Sequence, residues 1–234
     1  MDNKRPSTPD ECFMACLDEY APELVDRYFD PEGPFAADTF DLMGDNDPHR
    51  FTRDDLLALN CLDERVPPLT MRKFLTPDIQ AKLSQYLLAI AGDTELGRPS
   101  SEPDLAAAAA LWSYLRSRDF DGIGKVKAGK LLARKRPKLV PIVDSVVEKV
   151  VSPVSGPWPY WDAYRQFMSS TQHRARLEQV RPARVADTIS LLRVLDVAVW
   201  LRGSRSKNAY VLRDEVIGGG PRQADLPWAP RPNG

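Results

Sequence analysis

The residues best suited to chemistry in this 234-residue chain form a glycine turn, Gly122-Ile123-Gly124, and the basic segment that follows it. A glycine on each side of Ile123 permits a positive φ and the close approach of another backbone. The spacing predicts two helices that meet across this turn almost without a linker. The amides that open the second helix would then point outward at the positive end of its dipole, which is a generic site for an anion.

The charge beside this turn is one-sided. Residues 125–138 contain seven bases and no acid, although the formal net charge of the chain is only −1. A local basic run in a nearly neutral protein predicts a footprint for a polyanion. The bases from Arg134 to Lys138 are equally compatible with an exposed, solvated helix face. The residues predicted to contact the polyanion are Gly122, Ile123, Gly124, Lys125, Lys127 and Lys130, of which Lys125 and Lys127 lie nearest the turn.

The segment Phe120-Asp121-Gly122-Ile123-Gly124, with Ala128 and Leu131-Leu132 after it, resembles a helix-hairpin-helix. The following PIVDSVV, residues 141–147, is similar to the helix-hairpin-helix DNA glycosylases, which carry a catalytic aspartate at the start of the next helix. The resemblance, confined to residues 120–151, implies an all-α fold with two lobes and a cleft, DNA as the partner, and a monovalent cation held by hairpin carbonyls. It also implies that Asp144 stabilises a cationic sugar and orients or activates a water.

Two positions depart from the glycosylase pattern. Val126 stands where the bifunctional enzymes carry a nucleophilic lysine, so Schiff-base lyase chemistry is not expected. Asp121 replaces the usual proline and places a negative charge beside the predicted phosphate site. The longer string KLLARKRP followed by PIVDSVV also resembles a bacterial family known only as a domain of unknown function.

Three functions are compatible with these residues. The first is a protein that grips the DNA backbone largely without sequence preference, as in DNA repair, because phosphate contacts do not read bases. The second is a monofunctional DNA N-glycosylase that uses Asp144. The third is a helical protein-interaction domain whose basic face meets an acidic partner. Asp144 also has a structural interpretation, because Asp144 or Ser145 would cap the helix that follows.

Other polar and aromatic residues have two interpretations each. Asp196 lies within an apolar helix, where Arg193 offers an ion-pair partner, although a buried carboxylate near a cleft is also a candidate functional group. Four aromatic residues, Trp158, Tyr160, Trp161 and Tyr164, either stack a displaced base or fill a helical core. The sequence favours the ion pair and the core.

Composition excludes several classes of protein. The chain is 43% hydrophobic but has no apolar run long enough to span a membrane, and its first residues lack the apolar core of a secretion signal. We therefore expect a cytoplasmic protein without a membrane partner. Cys12, Cys16 and Cys61 are too few for a four-cysteine cluster, and His49 and His173 lie far apart, so no metal site is predicted.

Periodicity predicts helices along most of the chain. We expect a disordered N-terminus over residues 1–10, a helical domain over 11–217 with the hairpin at 104–136, and a flexible Gly/Pro tail over 218–234. Residues 30–50 are predicted to be a mobile loop because they combine prolines, glycines and aspartates. Thr52 and Asp55 have capping-box spacing. The last long helix is expected over residues 182–201, followed by a short strand or helical turn at 209–217.

Overall fold

The computed structural model describes residues 6–151 and 157–218, and within those residues every regular element is helical. The all-α prediction is therefore confirmed. The α-helices of the described residues are, in chain order, α1 (Pro9–Cys16), α2 (Ala21–Tyr28), α3 (Ala37–Leu42), α4 (Arg53–Ala58), α5 (Pro68–Phe74), α6 (Pro77–Leu88), α7 (Glu102–Leu115), α8 (Lys125–Lys135), α9 (Ser145–Val150), α10 (Pro157–Ser169), α11 (Thr171–Val180), α12 (Leu191–Gly203) and α13 (Lys207–Ile217). None of them is both long and apolar enough to cross a membrane.

The chain forms two compact units, and each is assembled from separate stretches of sequence. Residues 1–35, 143–185 and 194–234 make the first unit, and residues 36–142 and 186–193 make the second. The first unit thus contains α1, α2, α9–α11, most of α12, and α13. The second unit contains α3–α8 and the start of α12.

The core of the first unit joins α1 to α10 and α9 to α12. Phe13 packs against Tyr164 and Phe167, with ring centroids 4.6 and 5.0 Å apart. At Gly203 a Cβ would lie 2.3 Å from Val150 Cγ2, so only glycine allows α12 to approach α9 this closely. The consequence is a tightly packed helical unit.

The second unit is built around α8. Eight of its eleven residues, from Ala128 to Lys135, are buried, and α7 packs against it. Five consecutive alanines, residues 106–110, lie in α7, which also packs against α6. Small side chains permit close helix packing without weakening the helix. This packing places α8 against α7 in the second unit.

Several predicted boundaries are corrected by the structure. The first helix begins at Pro9, because Thr8 and Glu11 form a capping box, so the order starts before residue 10. Within the predicted loop 30–50 the chain forms α3. The last long helix begins at Leu191 instead of residue 182, after a 3₁₀ turn at Ala183–Val185.

The segment 209–217 is part of α13 and contains no strand. Its helix forms because Ser206 accepts a hydrogen bond from the Ala209 amide at the N-terminus. By contrast, the capping box predicted at Thr52 and Asp55 is confirmed. Residues 1–5 and 219–234, where disorder was predicted, lie outside the described residues.

Candidate nucleic-acid interface

The glycine turn has one position that requires glycine. Gly122 has a φ of +75°, and a Cβ there would lie 2.5 Å from Pro67 Cγ. Gly124 has a φ of −85° and open space where its Cβ would be. Within this turn, positive φ is therefore needed only at Gly122. The Ile123 amide, predicted to face a phosphate, instead donates a hydrogen bond to Phe120 O at 3.2 Å within the turn.

The connection between α7 and α8, the helices predicted to form the hairpin, is longer than predicted. Helix α7 ends at Leu115 and α8 begins at Lys125, so residues 116–124 connect them. Thr70 of α5 donates to Asp121 O at 2.6 Å, and Lys73 pairs with Asp119 at 3.1 Å. Phe120 is buried against Phe74, with ring centroids 4.5 Å apart. Helix α5 therefore anchors this connection and fixes the turn.

The N-terminus of α8 is open. Gly124 is its N-cap residue and provides no side chain to cap it. Among the described residues, the amides of Gly124, Val126 and Lys127 have no hydrogen-bond acceptor. Their residues line an open depression of about 550 Å³, together with Glu64, Gly122, Ile123 and Lys125. Unpaired amides at the positive end of a helix dipole can accept an anion.

The predicted lysines occupy three different environments. Lys125 is exposed, with its backbone fixed by a 3.2 Å hydrogen bond from Trp112 Nε1 to Lys125 O. Lys127 is half-buried and donates to Gly122 O at 2.9 Å, which leaves two of its three N–H donors for another group.

Lys130 is instead buried inside the second unit. Its ammonium donates to Leu62 O at 2.8 Å and lies 3.7 Å from Glu64 Oε1. Lys130 was predicted to contact DNA, but its burial removes it from the surface that a polyanion would meet. Its effect on the depression is indirect, because it balances the charge of Glu64.

The Gly122 carbonyl already faces a positive charge. The Lys127 ammonium donates a hydrogen bond to Gly122 O at 2.9 Å, and this carbonyl oxygen is one that a monovalent cation at the hairpin would need. A second cation at this carbonyl would be repelled by the ammonium. The Gly122 carbonyl is therefore a poor ligand for the monovalent cation that the resemblance implies at the hairpin carbonyls.

Bases at the C-terminal end of α8 form a buried cluster that sequence reasoning missed. Arg134 and Lys135 are 1% and 4% exposed, and both pair with Asp55, at 2.7 and 2.5 Å. Arg134 also donates to the carbonyls of Phe40 and Met43. Burial lowers the pKa of Lys135, while its bond to Asp55 opposes that shift. These bases are thus neither surface charge nor phosphate contacts.

The same cluster fixes the predicted mobile loop. Lys135 Nζ donates to Asn46 Oδ1 at 2.8 Å and to Asp47 O at 2.9 Å, and Arg136 donates to Pro48 O at 2.9 Å. Arg136 also donates to Ile90 O at 3.1 Å, just beyond α6. A signal was present in the sequence: Lys135 follows Leu131 by four residues, so helical spacing places it on the apolar face.

Asp144 is the N-cap of α9. Its Oδ1 accepts hydrogen bonds from the amides of Val146 and Val147 at 2.9 and 3.0 Å. The capping interpretation is therefore confirmed, with Asp144 and not Ser145 as the capping residue. The Asp144 side chain is half-buried and belongs to the first unit, whereas the glycine turn belongs to the second.

The aromatic residues near Asp196 lie in the core of the first unit. Tyr160, Trp161 and Tyr164 are each less than 5% exposed, which confirms core packing for these three. The Trp158 side chain lies outside the described part of the structure. Burial, followed by the nearby charge of Asp196, raises the pKa of Tyr164 well above its usual value. Arg193, the partner predicted for Asp196, pairs with Asp41 at 3.1 Å.

The fold and this site define an all-helical protein with an open helix N-terminus flanked by lysines. The chain belongs to DUF6308, a family of unknown function, whose profile matches residues 21–203. The resemblance to a family of unknown function is thus confirmed, and both the glycine turn and Asp144 fall inside the match. No curated protein and no solved structure matches the chain.

Proposed function

We propose that this protein binds DNA by gripping a backbone phosphate at the turn formed by residues 122–127. The observation that carries the proposal is the open N-terminus of α8: the amides of Gly124, Val126 and Lys127 have no acceptor among the described residues, and these three residues line an open depression. The first turn of α8 contains no acid. A phosphate is the anion that amides, a helix dipole and lysines bind together.

The lysines complete the phosphate site. Lys125 is exposed beside the turn, and Lys127 keeps two N–H donors after its bond to Gly122 O. Contacts of this kind position a protein on the backbone but carry no base information. Binding is therefore largely independent of sequence, as a role in DNA repair requires.

The acids near the site limit its strength. Glu64 lines the depression, although Lys130 lies 3.7 Å from its carboxylate, and Asp121 is exposed in the turn. The whole chain has a formal net charge of −1. Affinity consequently depends on a few local contacts, and we expect it to fall as salt rises.

Charge reversal at the two lysines tests the proposal. Binding of a fluorescent duplex is measured by anisotropy across a salt series for the wild type and for Lys125→Glu with Lys127→Glu. We expect a loss of affinity of at least about tenfold and a log–log salt slope that is shallower by about 2, because two phosphate contacts are removed. Thermal stability should change little, since neither ammonium is buried.

A matched control places the same charge change elsewhere. Arg53→Glu with Lys138→Glu alters two exposed bases near the opposite end of α8, where Asp55 of α4 pairs with Arg134. This control should retain most of the binding. Equal losses in the two double variants, or a wild type that binds no DNA, would contradict the proposed site. Binding of an acidic polypeptide in preference to DNA would favour a protein-interaction domain.

A monofunctional DNA N-glycosylase remains the second candidate. One observation favours it: among the described residues, Asp144 Oδ2 accepts no hydrogen bond, while Oδ1 serves as the cap. That oxygen is available to stabilise a cationic sugar or to orient a water. The candidate predicts abasic sites in damaged duplex DNA and depends on Asp144.

A further inference from the structure

Arg116 lies next to the proposed phosphate site and is positioned by an aromatic ring. Its guanidinium carbon is 4.0 Å from the centroid of the Trp112 ring, a cation–π distance. The same indole donates its Nε1–H to Lys125 O at 3.2 Å. The Trp112 indole therefore contacts Arg116 through its ring face and Lys125, the first residue of α8, through its Nε1–H.

This arrangement leaves the guanidinium available to a ligand. Arg116 is exposed, whereas Trp112 beneath it is 5% exposed. Within residues 6–151 and 157–218, no carboxylate pairs with Arg116, and the nearby Asp119 pairs with Lys73 at 3.1 Å. The contact with the indole is made through the guanidinium carbon, and among the described residues no acceptor binds the five N–H donors of Arg116.

We propose that Arg116, held on Trp112, is a second phosphate-binding residue of this site and binds a phosphodiester group neighbouring the one at the α8 N-terminus. The inference rests on the proposed function and extends it to a backbone held at two phosphates. The planar fork of arginine matches two phosphate oxygens, which a lysine does not. The cation–π contact with Trp112 restrains the side chain before binding, so less rotamer freedom is lost when the phosphate arrives.

Two substitutions of Arg116 separate its charge from its shape. Arg116→Gln removes the charge and should weaken duplex binding about tenfold, with a salt slope shallower by about 1. Arg116→Lys keeps the charge but loses the fork, so the salt slope should stay near that of the wild type while affinity falls. Binding is measured by anisotropy across the same salt series.

Arg53→Gln is the matched control. It removes an exposed arginine of α4 near Asp55, which pairs with Arg134 at the C-terminal end of α8. The affinity for DNA and the salt slope should both stay unchanged. If Arg116→Gln binds like the wild type while the Lys125 and Lys127 double variant is impaired, the role of Arg116 is refuted and the proposed function stands. Equal weakening by Arg53→Gln would also refute the role of Arg116, because the loss of affinity would then be a general effect of removing a positive charge. A wild type that fails to bind DNA overturns both proposals.

Discussion

At the scale of single residues, the clearest result is how this chain uses its buried charges. Asp55 is the one carboxylate that pairs with both Arg134 and Lys135 in the described structure, and all three side chains are fully buried. A buried ion pair adds little over apolar packing, but removing one partner leaves an uncompensated charge. Asp55 is therefore more important for stability than either base alone.

Asp55→Asn tests this directly. We expect the free energy of unfolding to fall by about 3–5 kcal/mol, because two buried cations lose their counter-charge. Urea denaturation followed by circular dichroism measures it. Asp54→Asn is the control on the same helix, and it should cost no more than about 1 kcal/mol, through the helix dipole. Similar losses in the two variants would mean that Asp55 matters only as a first-turn acid.

Two substitutions of Asp144 distinguish a role in helix capping from a role in catalysis. Asparagine caps a helix nearly as well as aspartate, so Asp144→Asn should leave stability nearly unchanged, whereas Asp144→Ala should cost about 1 kcal/mol. If the protein is a glycosylase, Asp144→Asn should abolish the alkali-sensitive sites formed in a panel of damaged duplexes. Equal cutting by wild type and Asp144→Asn would leave Asp144 with its structural role alone.

At the scale of elements, α8 does two different things at its two ends. Its N-terminus is open toward a depression, with Lys125 exposed beside it. Its C-terminal bases are buried and bind carbonyls of residues 40–48. A helix dipole favours both arrangements, since anions are stabilised at the N-terminus and cations at the C-terminus.

The glycine turn is tested at this scale as well. Gly122→Ala should lower the free energy of unfolding by about 1–3 kcal/mol, because a Cβ at positive φ is strained and would meet Pro67. Gly124→Ala places a Cβ in open space and should change stability by less than about 1 kcal/mol. Urea denaturation compares the two. If Gly124→Ala were the more damaging change, the positive φ would not be what requires glycine in this turn.

At the scale of the whole molecule, the positions of the individual charges matter more than the net charge. The formal net charge is −1 and the pI is about 6.2, so the protein as a whole does not attract a polyanion. Within α8, Arg134 and Lys135 are buried structural partners, whereas Lys125 is exposed at the turn. The proposed DNA binding is therefore local, and it depends on Arg116, Lys125 and Lys127.

The sequence by itself determined the features that depend on near neighbours. Helical periodicity gave the all-α class, the Thr52–Asp55 spacing gave a capping box, and the glycine turn was found at Gly122. Each of these depends on residues within a few positions of one another. Local rules are therefore enough to find them.

Only the tertiary structure decided which bases face solvent. Arg134 and Asp55 are 79 residues apart in the chain, and the carbonyl of Phe40 that Arg134 binds is 94 residues away. A basic run has the same local pattern whether it is exposed or buried, because burial depends on the segments that fold over it. For the same reason, the alignment of Arg116, Trp112 and Lys125 became visible only once α7 and α8 were packed together.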